Sequence, residues 1–238
     1  MKRFTSVIKS GKSMRILSIL FMLALNGCQT VTPVLGSSYG FEQSKTVSDV
    51  NINSLRVRIV RTVEDKCING TKDHMEVSGP IGPDSSEVVE RLMLDISPCY
   101  LKISKQKLPT VVFLNSNGGL MKDGYKLGQI FRKYQVQTAM LAGQYCASSC
   151  AIAFLGGSHR VIRGNAKLMF HAPYIEGGQK IRCPSKEDSR ELMTYFINFL
   201  GESNGNFIFN RTMDFCSRNE GWEIDAGAAK LFGITTFD

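Results

Sequence analysis

The chain has 238 residues, 43% of them apolar, with 29 Lys and Arg against 21 Asp and Glu and a formal net charge of +8. Five of those basic residues and none of the acidic ones lie in the first 27 positions, so the remainder carries 24 against 21. No basic stripe with interleaved aromatics follows, which excludes nucleic acid as an expected partner, and the rest of the chain is long enough for one α/β domain with a substantial core.

Lys2, Arg3, Lys9, Lys12 and Arg15 precede an apolar run from Ile16 to Leu25. That run is too short to anchor in a bilayer, so residues 1–27 read as an export signal. Leu25-Asn26-Gly27-Cys28 resembles a bacterial lipobox, with Asn26 an uncommon residue at its middle position. The resemblance implies cleavage before Cys28 and lipidation of its thiol, which would anchor the protein to a membrane; an ordinary signal cleaved nearby is the alternative. Gln29 implies, by analogy with bacterial lipoproteins, the outer membrane, facing the periplasm. Residues 28–50, rich in Ser, Thr, Gly and Gln, read as a flexible tether, which leaves 51–238 as the folded domain.

Leu55 to Val63 alternates apolar and basic residues, the pattern of a strand with one wet face. Residues 84–96 carry an apolar helical stripe at Val88, Val89, Leu92, Met93 and Ile96 behind an Asp or Ser cap. Val111 to Leu114 is an apolar strand that runs into Asn115-Ser116-Asn117-Gly118-Gly119, a glycine turn at the carboxyl end of a strand, where α/β sheets place ligand sites. A helix over 123–134 and a strand over 137–142 follow, an alternation that suits βαβ units. The strand delivers Cys146-Ala147-Ser148-Ser149-Cys150 to the start of an apolar helix, where unpaired N–H groups favour developing negative charge. A strand pair then ends in Phe170-His171-Ala172-Pro173. After a Gly-rich loop over 174–184, Ser185 opens an amphipathic helix that Gly201 stops.

Asn115-Ser116-Asn117-Gly118-Gly119, Cys146-Ala147-Ser148 and Phe170-His171-Ala172-Pro173 together resemble the motifs of the Clp-type serine peptidase superfamily. Gly157 after the serine helix and a terminal helix and glycine within 226–234 extend the likeness to roughly residues 55–236. The resemblance implies a ClpP/crotonase-like α/β fold of repeated ββα units. It also implies a serine acyl-enzyme, a peptide or protein substrate, and homo-oligomer contacts through the helix after the histidine; composition alone gives that helix its own domain core as partner. Two departures are plain: Asn117 stands where the family has proline, and no aspartate falls cleanly at the third triad position.

Carried over residue by residue, the nucleophile is Ser148, with adjacent Ser149 as the alternative, and the base is His171. The oxyanion donors are the N–H of Ser149 and that of Gly119 or Gly118. Asp214 is the candidate acid, with Glu220 close behind; a dyad oriented by a backbone carbonyl and a serine–lysine arrangement are further possibilities. A Ser-Ser pair that merely caps a helix is the bland reading. His74 and His159 lack such context and read as surface or loop residues. No cofactor is required. The competing reading is a catalytically silent envelope binding or assembly module; an acyl-CoA hydratase is disfavoured because such substrates belong inside the cell.

Of seven cysteines, lipid would consume Cys28, and the other six form an even set for which fifteen pairings are possible in an oxidising compartment. The preferred set is Cys67 with Cys99, Cys146 with Cys150, and Cys183 with Cys216, and the sequence does not choose among the fifteen. Zinc held by Cys146, Cys150 and His159 or His171 lacks a second closely spaced ligand pair. A Cys146–Cys150 bridge would lock the turn that presents Ser148, and its reduction is expected to lower activity before the domain unfolds.

Overall fold

The computed structural model describes residues 44–62, 72–100, 103–177 and 180–236. Strands β1 (Ser44–Ile52) and β2 (Leu55–Thr62) form an antiparallel hairpin, and β2 pairs antiparallel with β3 (Asp73–Ser78). β1 occupies Ser44–Ile52, so part of the stretch expected as tether over 28–50 is strand. Side-chain composition does not reveal β1, because its backbone pairing with β2 supplies most of its partners; only Val50 and Ile52 reach the core. Residues 28–43, with Cys28, and the signal segment lie outside the described residues.

After α1 (Ser85–Met93) come β4 (Val111–Asn115), α2 (Met121–Lys133), β5 (Gln137–Met140), β6 (Tyr145–Ala147), α3 (Ser149–Leu155), β7 (His159–Ile162) and β8 (Lys167–Phe170). The main sheet has the order β1-β2-β3-β4-β5-β7, parallel from β3 onward. β6 and β8 do not join it. They pair with each other in parallel, and β8 also pairs antiparallel with β11 (Trp222–Ile224). Each two-strand unit before a helix is thus split between two sheets. The pair expected to end at His171 is not a hairpin: β7 and β8 diverge.

Alternation along β4 sets the packing. Val112 and Leu114 enter the large core with the helix residues Val89, Leu127, Phe131 and Phe154, whereas Val111 and Phe113 face a smaller cluster with Ala139 and Val161. His74, expected at the surface, is instead 2% exposed in β3, edge-on to Phe113 at 5.3 Å. His159 is half-buried at the first position of β7, 3.2 Å from the Ser158 hydroxyl.

Beyond β8, the Gly-rich segment contains a short hairpin, β9 (Ile175–Gly177) with β10 (Lys180–Arg182). Helices α4 (Arg190–Leu200) and α5 (Glu202–Met213) then pack together. α4 buries Leu192, Tyr195 and Phe196 against its own domain, and the Tyr195 hydroxyl donates to the Ile152 carbonyl at 2.9 Å, while Met193, Ile197 and Leu200 stay half-buried. α6 (Ala226–Leu231) closes the chain, with Asp225 accepting from the Ala228 N–H. Arg160, buried in β7, donates to the carbonyls of Leu155, Gly157, Gly233 and Ile234 and so ties the ends of α3 and α6 together.

Candidate active site

The end of β4 reaches β6 through two hydrogen bonds, Ser116 N–H to the Tyr145 carbonyl and Ala147 N–H to the Ser116 carbonyl, both 2.9 Å. Register in the small sheet sets Ala147 against Met169, and the Ser148 N–H donates to the Met169 carbonyl at 2.8 Å. The glycine turn, the serine turn and the histidine strand therefore converge. They line one cleft of about 730 Å³, to which Asn117, Gly118, Gly119, Ser148 and His171 all contribute.

Ser148 has φ 55° and ψ −124°, a backbone region that an L-residue enters only when its surroundings impose it. Its carbonyl accepts from the Ile152 N–H at 3.1 Å, which starts α3, while its own side chain does not cap the helix. The capping interpretation of the Ser-Ser pair is thereby removed. Ser149, the alternative nucleophile, is fully buried, and its hydroxyl has no hydrogen-bond partner among the described residues. It packs against α2 at Gly124, where an added Cβ would come 2.7 Å from the Ser149 Cβ.

The two glycines differ in use. The Gly118 N–H donates to the Ser116 hydroxyl at 3.0 Å, while the Gly119 N–H makes no hydrogen bond among the described residues. The same holds for the Ser149 N–H, the first of α3. Gly118 has φ +89°, and a Cβ there would stand 2.7 Å from the Ser148 Cβ and 3.1 Å from the Ser149 N. Glycine keeps that space open. Gly119 and Ser149 are thus the pair with donors to spare.

His171 is 5% exposed, and its Nδ1 lies 2.8 Å from the Ala172 carbonyl oxygen. Nδ1 then carries the proton and donates, which leaves the Nε2 lone pair to act as acceptor. Burial pushes the imidazole below the ordinary histidine value, and the Ala172 carbonyl pulls in the opposite direction. Tyr174, not anticipated from the sequence, lays its ring against the imidazole at 5.5 Å between centroids. Ser148 and His171 share the cleft without a hydrogen bond between them in this resting arrangement.

Asp214 does not meet His171. Its exposed carboxylate pairs with Arg211 at 3.2 Å and Lys186 at 3.7 Å on the surface. The carbonyl of the next residue, Phe215, accepts from the Ala172 N–H at 2.9 Å, so the segment arrives beside the histidine while the side chain points elsewhere. Glu220 is exposed, and no lysine lines the cleft. Among the described residues no carboxylate is hydrogen-bonded to His171. Arg218 and Asn219 reach the rim from the segment after Cys216, which a disulfide ties to Cys183 with Cα atoms 5.8 Å apart. No local signal marks them in the sequence, because a bridge across 33 positions brings them there.

Cys146 and Cys150 are joined in a disulfide with Cα atoms 5.2 Å apart, so neither remains a thiolate for zinc. Cys99 is also disulfide-bonded, and Cys67, its expected partner, lies outside the described residues.

No protein-family model matches the chain, and no curated protein matches it. The architecture is the ClpP/crotonase-like α/β fold. Its likeness to solved structures includes a substituted form of the membrane-bound stomatin-specific protease 1510-N, 10% identical with a TM-score of 0.51, over 68% of this chain and 76% of that one. ClpP1 from Listeria monocytogenes is 22% identical with a TM-score of 0.47, over 67% of this chain and 86% of that one. The ClpP protease catalytic domain from Plasmodium falciparum is 19% identical with a TM-score of 0.47, over 68% and 82%.

Proposed function

We propose that the protein is a serine peptidase that cleaves short or unfolded peptides in the bacterial envelope through an acyl-enzyme on Ser148. The observation that carries this reading is the convergence in one cleft of a serine in a strained backbone conformation, a buried histidine and the unused Gly119 N–H, with the unused Ser149 N–H next to Gly118 in the cleft wall. His171 Nε2 takes the Ser148 hydroxyl proton as Oγ attacks the substrate carbonyl. The Gly119 and Ser149 N–H groups receive the oxyanion, and loss of one such donor typically lowers kcat about 10²–10³-fold. The proton then passes to the leaving amine, and water hydrolyses the ester by the same route in reverse. The Ala172 carbonyl fixes the tautomer where a third carboxylate is wanting, so the working pair is a dyad and Asp214 has no part in it.

The chain reaches the envelope by its amino-terminal signal and is held at the outer membrane by lipid on Cys28. Oligomer contacts through α4 would use its partly exposed residues Met193, Ile197 and Leu200, since Leu192, Tyr195 and Phe196 are buried in its own domain. Reaction with a fluorophosphonate tests the chemistry: an adduct on Ser148 is expected, and no adduct on the unaltered chain would overturn the reading. A second reading, a silent module of this fold that binds peptides without cutting them, draws on the missing carboxylate at His171; it predicts peptide binding without labelling.

A further inference from the structure

Ser148 departs from every relaxed backbone available to a serine at the start of a helix, and two of its own hydrogen bonds do not restrain the chain on both sides of it. The N–H bond to Met169 holds what precedes Ser148, and the carbonyl bond from Ile152 is also satisfied when α3 is continued backward by a turn. In that continued helix Ser148 would take φ near −63° and ψ near −42°. Moving there from 55° and −124° turns the Ser148–Ser149 peptide plane and carries the Ser149 N–H away from Gly118.

The Cys146–Cys150 disulfide spans this turn. Cys146 belongs to β6 and is bridged in parallel to Ser116 at the end of β4, while Cys150 lies in the first turn of α3. Both are fully buried, with their Cα atoms 5.2 Å apart. Four residue steps of free chain can separate by up to about 13 Å. The bridge therefore fixes the strand before the serine to the helix after it, with Ser148 between. Its burial also sets it apart from Cys183–Cys216, whose Cys216 is exposed and which a dithiol reductant meets first. Exposure to reductant thus acts on Cys183–Cys216 before this bridge, and the ordering expected from the sequence, activity lost first on reduction, does not identify Cys146–Cys150.

We infer that the buried Cys146–Cys150 disulfide is a positioning element that holds Ser148 in its left-handed conformation and so keeps the Ser149 N–H beside Gly118, which lines the cleft. It touches no substrate. This inference rests on the proposed role of Ser148, and its test separates the two.

The experiment compares crystal structures and fluorophosphonate labelling rates of the full chain with those of Cys146→Ala/Cys150→Ala; Cys146→Val/Cys150→Ala, which keeps more of the apolar volume, serves if the first variant does not fold. The expected result is a negative Ser148 φ in the variant, labelling slowed by about 10²–10³-fold as for loss of one oxyanion donor, and a peptide KM changed by no more than a few fold. A positive φ retained in the variant overturns the inference, whatever the activity. Should the unaltered chain fail to label, the peptidase reading falls, and the Ser148 φ in the two structures alone decides the role of the bridge.

Discussion

The Ser148 N–H donates to the Met169 carbonyl at 2.8 Å, and Met169 stands two residues before His171. One backbone bond thus sets the turn that carries Ser148 beside the strand that carries His171. Two short parallel strands, β6 and β8, achieve what the 22 residues between Ser148 and His171 would otherwise leave to the packing of α3 and β7.

Gly118 and Gly143 both have positive φ, yet they differ in what surrounds them. A Cβ at Gly118 would stand 2.5 Å from the Ala147 carbonyl oxygen and fill the space before the Ser149 N–H, whereas a Cβ at Gly143 meets nothing within 4 Å. Gly118→Ala should abolish labelling. Gly143→Ala should lower stability by only about 1–2 kcal/mol, the strain of the left-handed backbone, and leave labelling intact. Thermal denaturation beside a labelling assay distinguishes them; equal labelling in both variants would contradict the geometry.

Burial lowers the proton affinity of His171, more than the Ala172 carbonyl raises it. The base is needed neutral, so the labelling rate should rise with pH through a midpoint below the ordinary histidine value of about 6.5. Stability follows the same sign: the unfolded chain binds more protons, so the contribution is full above about pH 6.5 and is lost as pH falls through the lowered folded value. His159, lowered by burial and by Arg160, acts in the same direction. A pH–rate profile centred above 6.5 would contradict this.

Arg160 has no carboxylate partner among its hydrogen bonds. Its guanidinium is 5% exposed as a residue and serves four carbonyls near the ends of α3 and α6, where helix dipoles favour a cation. Burial lowers its pKa to about 10, which leaves it charged at neutral pH. Arg160→Met should cost about 2–4 kcal/mol, since the carbonyls lose a charged donor in a buried place. Urea denaturation measures it; a loss below 0.5 kcal/mol, the usual scale of a surface change, would refute the assignment.

If Cys28 is lipidated, globomycin should cause the precursor to accumulate, and Cys28→Ala should prevent incorporation of labelled palmitate. Unchanged processing in both cases would mean an ordinary signal peptide.

Much of this site is legible in the sequence because its parts are local. A strand that runs into Gly118-Gly119, small residues before Ser148, and His171 at a strand end each announce a backbone shape. The choice between Ser148 and Ser149 is less open once α2 is in place, since Gly124 covers Ser149 and leaves its hydroxyl without a partner. Non-local features stay hidden. β1 reads as tether because its side chains are mostly polar, α5 is masked behind the stop at Gly201, and Asp214 is close to His171 in backbone but turned toward Arg211 and Lys186 by ordinary charge pairing. His74 looks like a surface residue until β3 is paired on both sides.

Covalent mapping shows whether Ser148 is activated. The full chain is treated with a fluorophosphonate, digested, and the adduct located by mass spectrometry, with Ser148→Ala and Ser149→Ala in parallel. An adduct is expected on Ser148 alone, none in Ser148→Ala, and labelling retained in Ser149→Ala, which keeps its N–H and sheds an unpartnered hydroxyl. An adduct that persists in Ser148→Ala, or no adduct on the unaltered chain, would contradict the activation of Ser148.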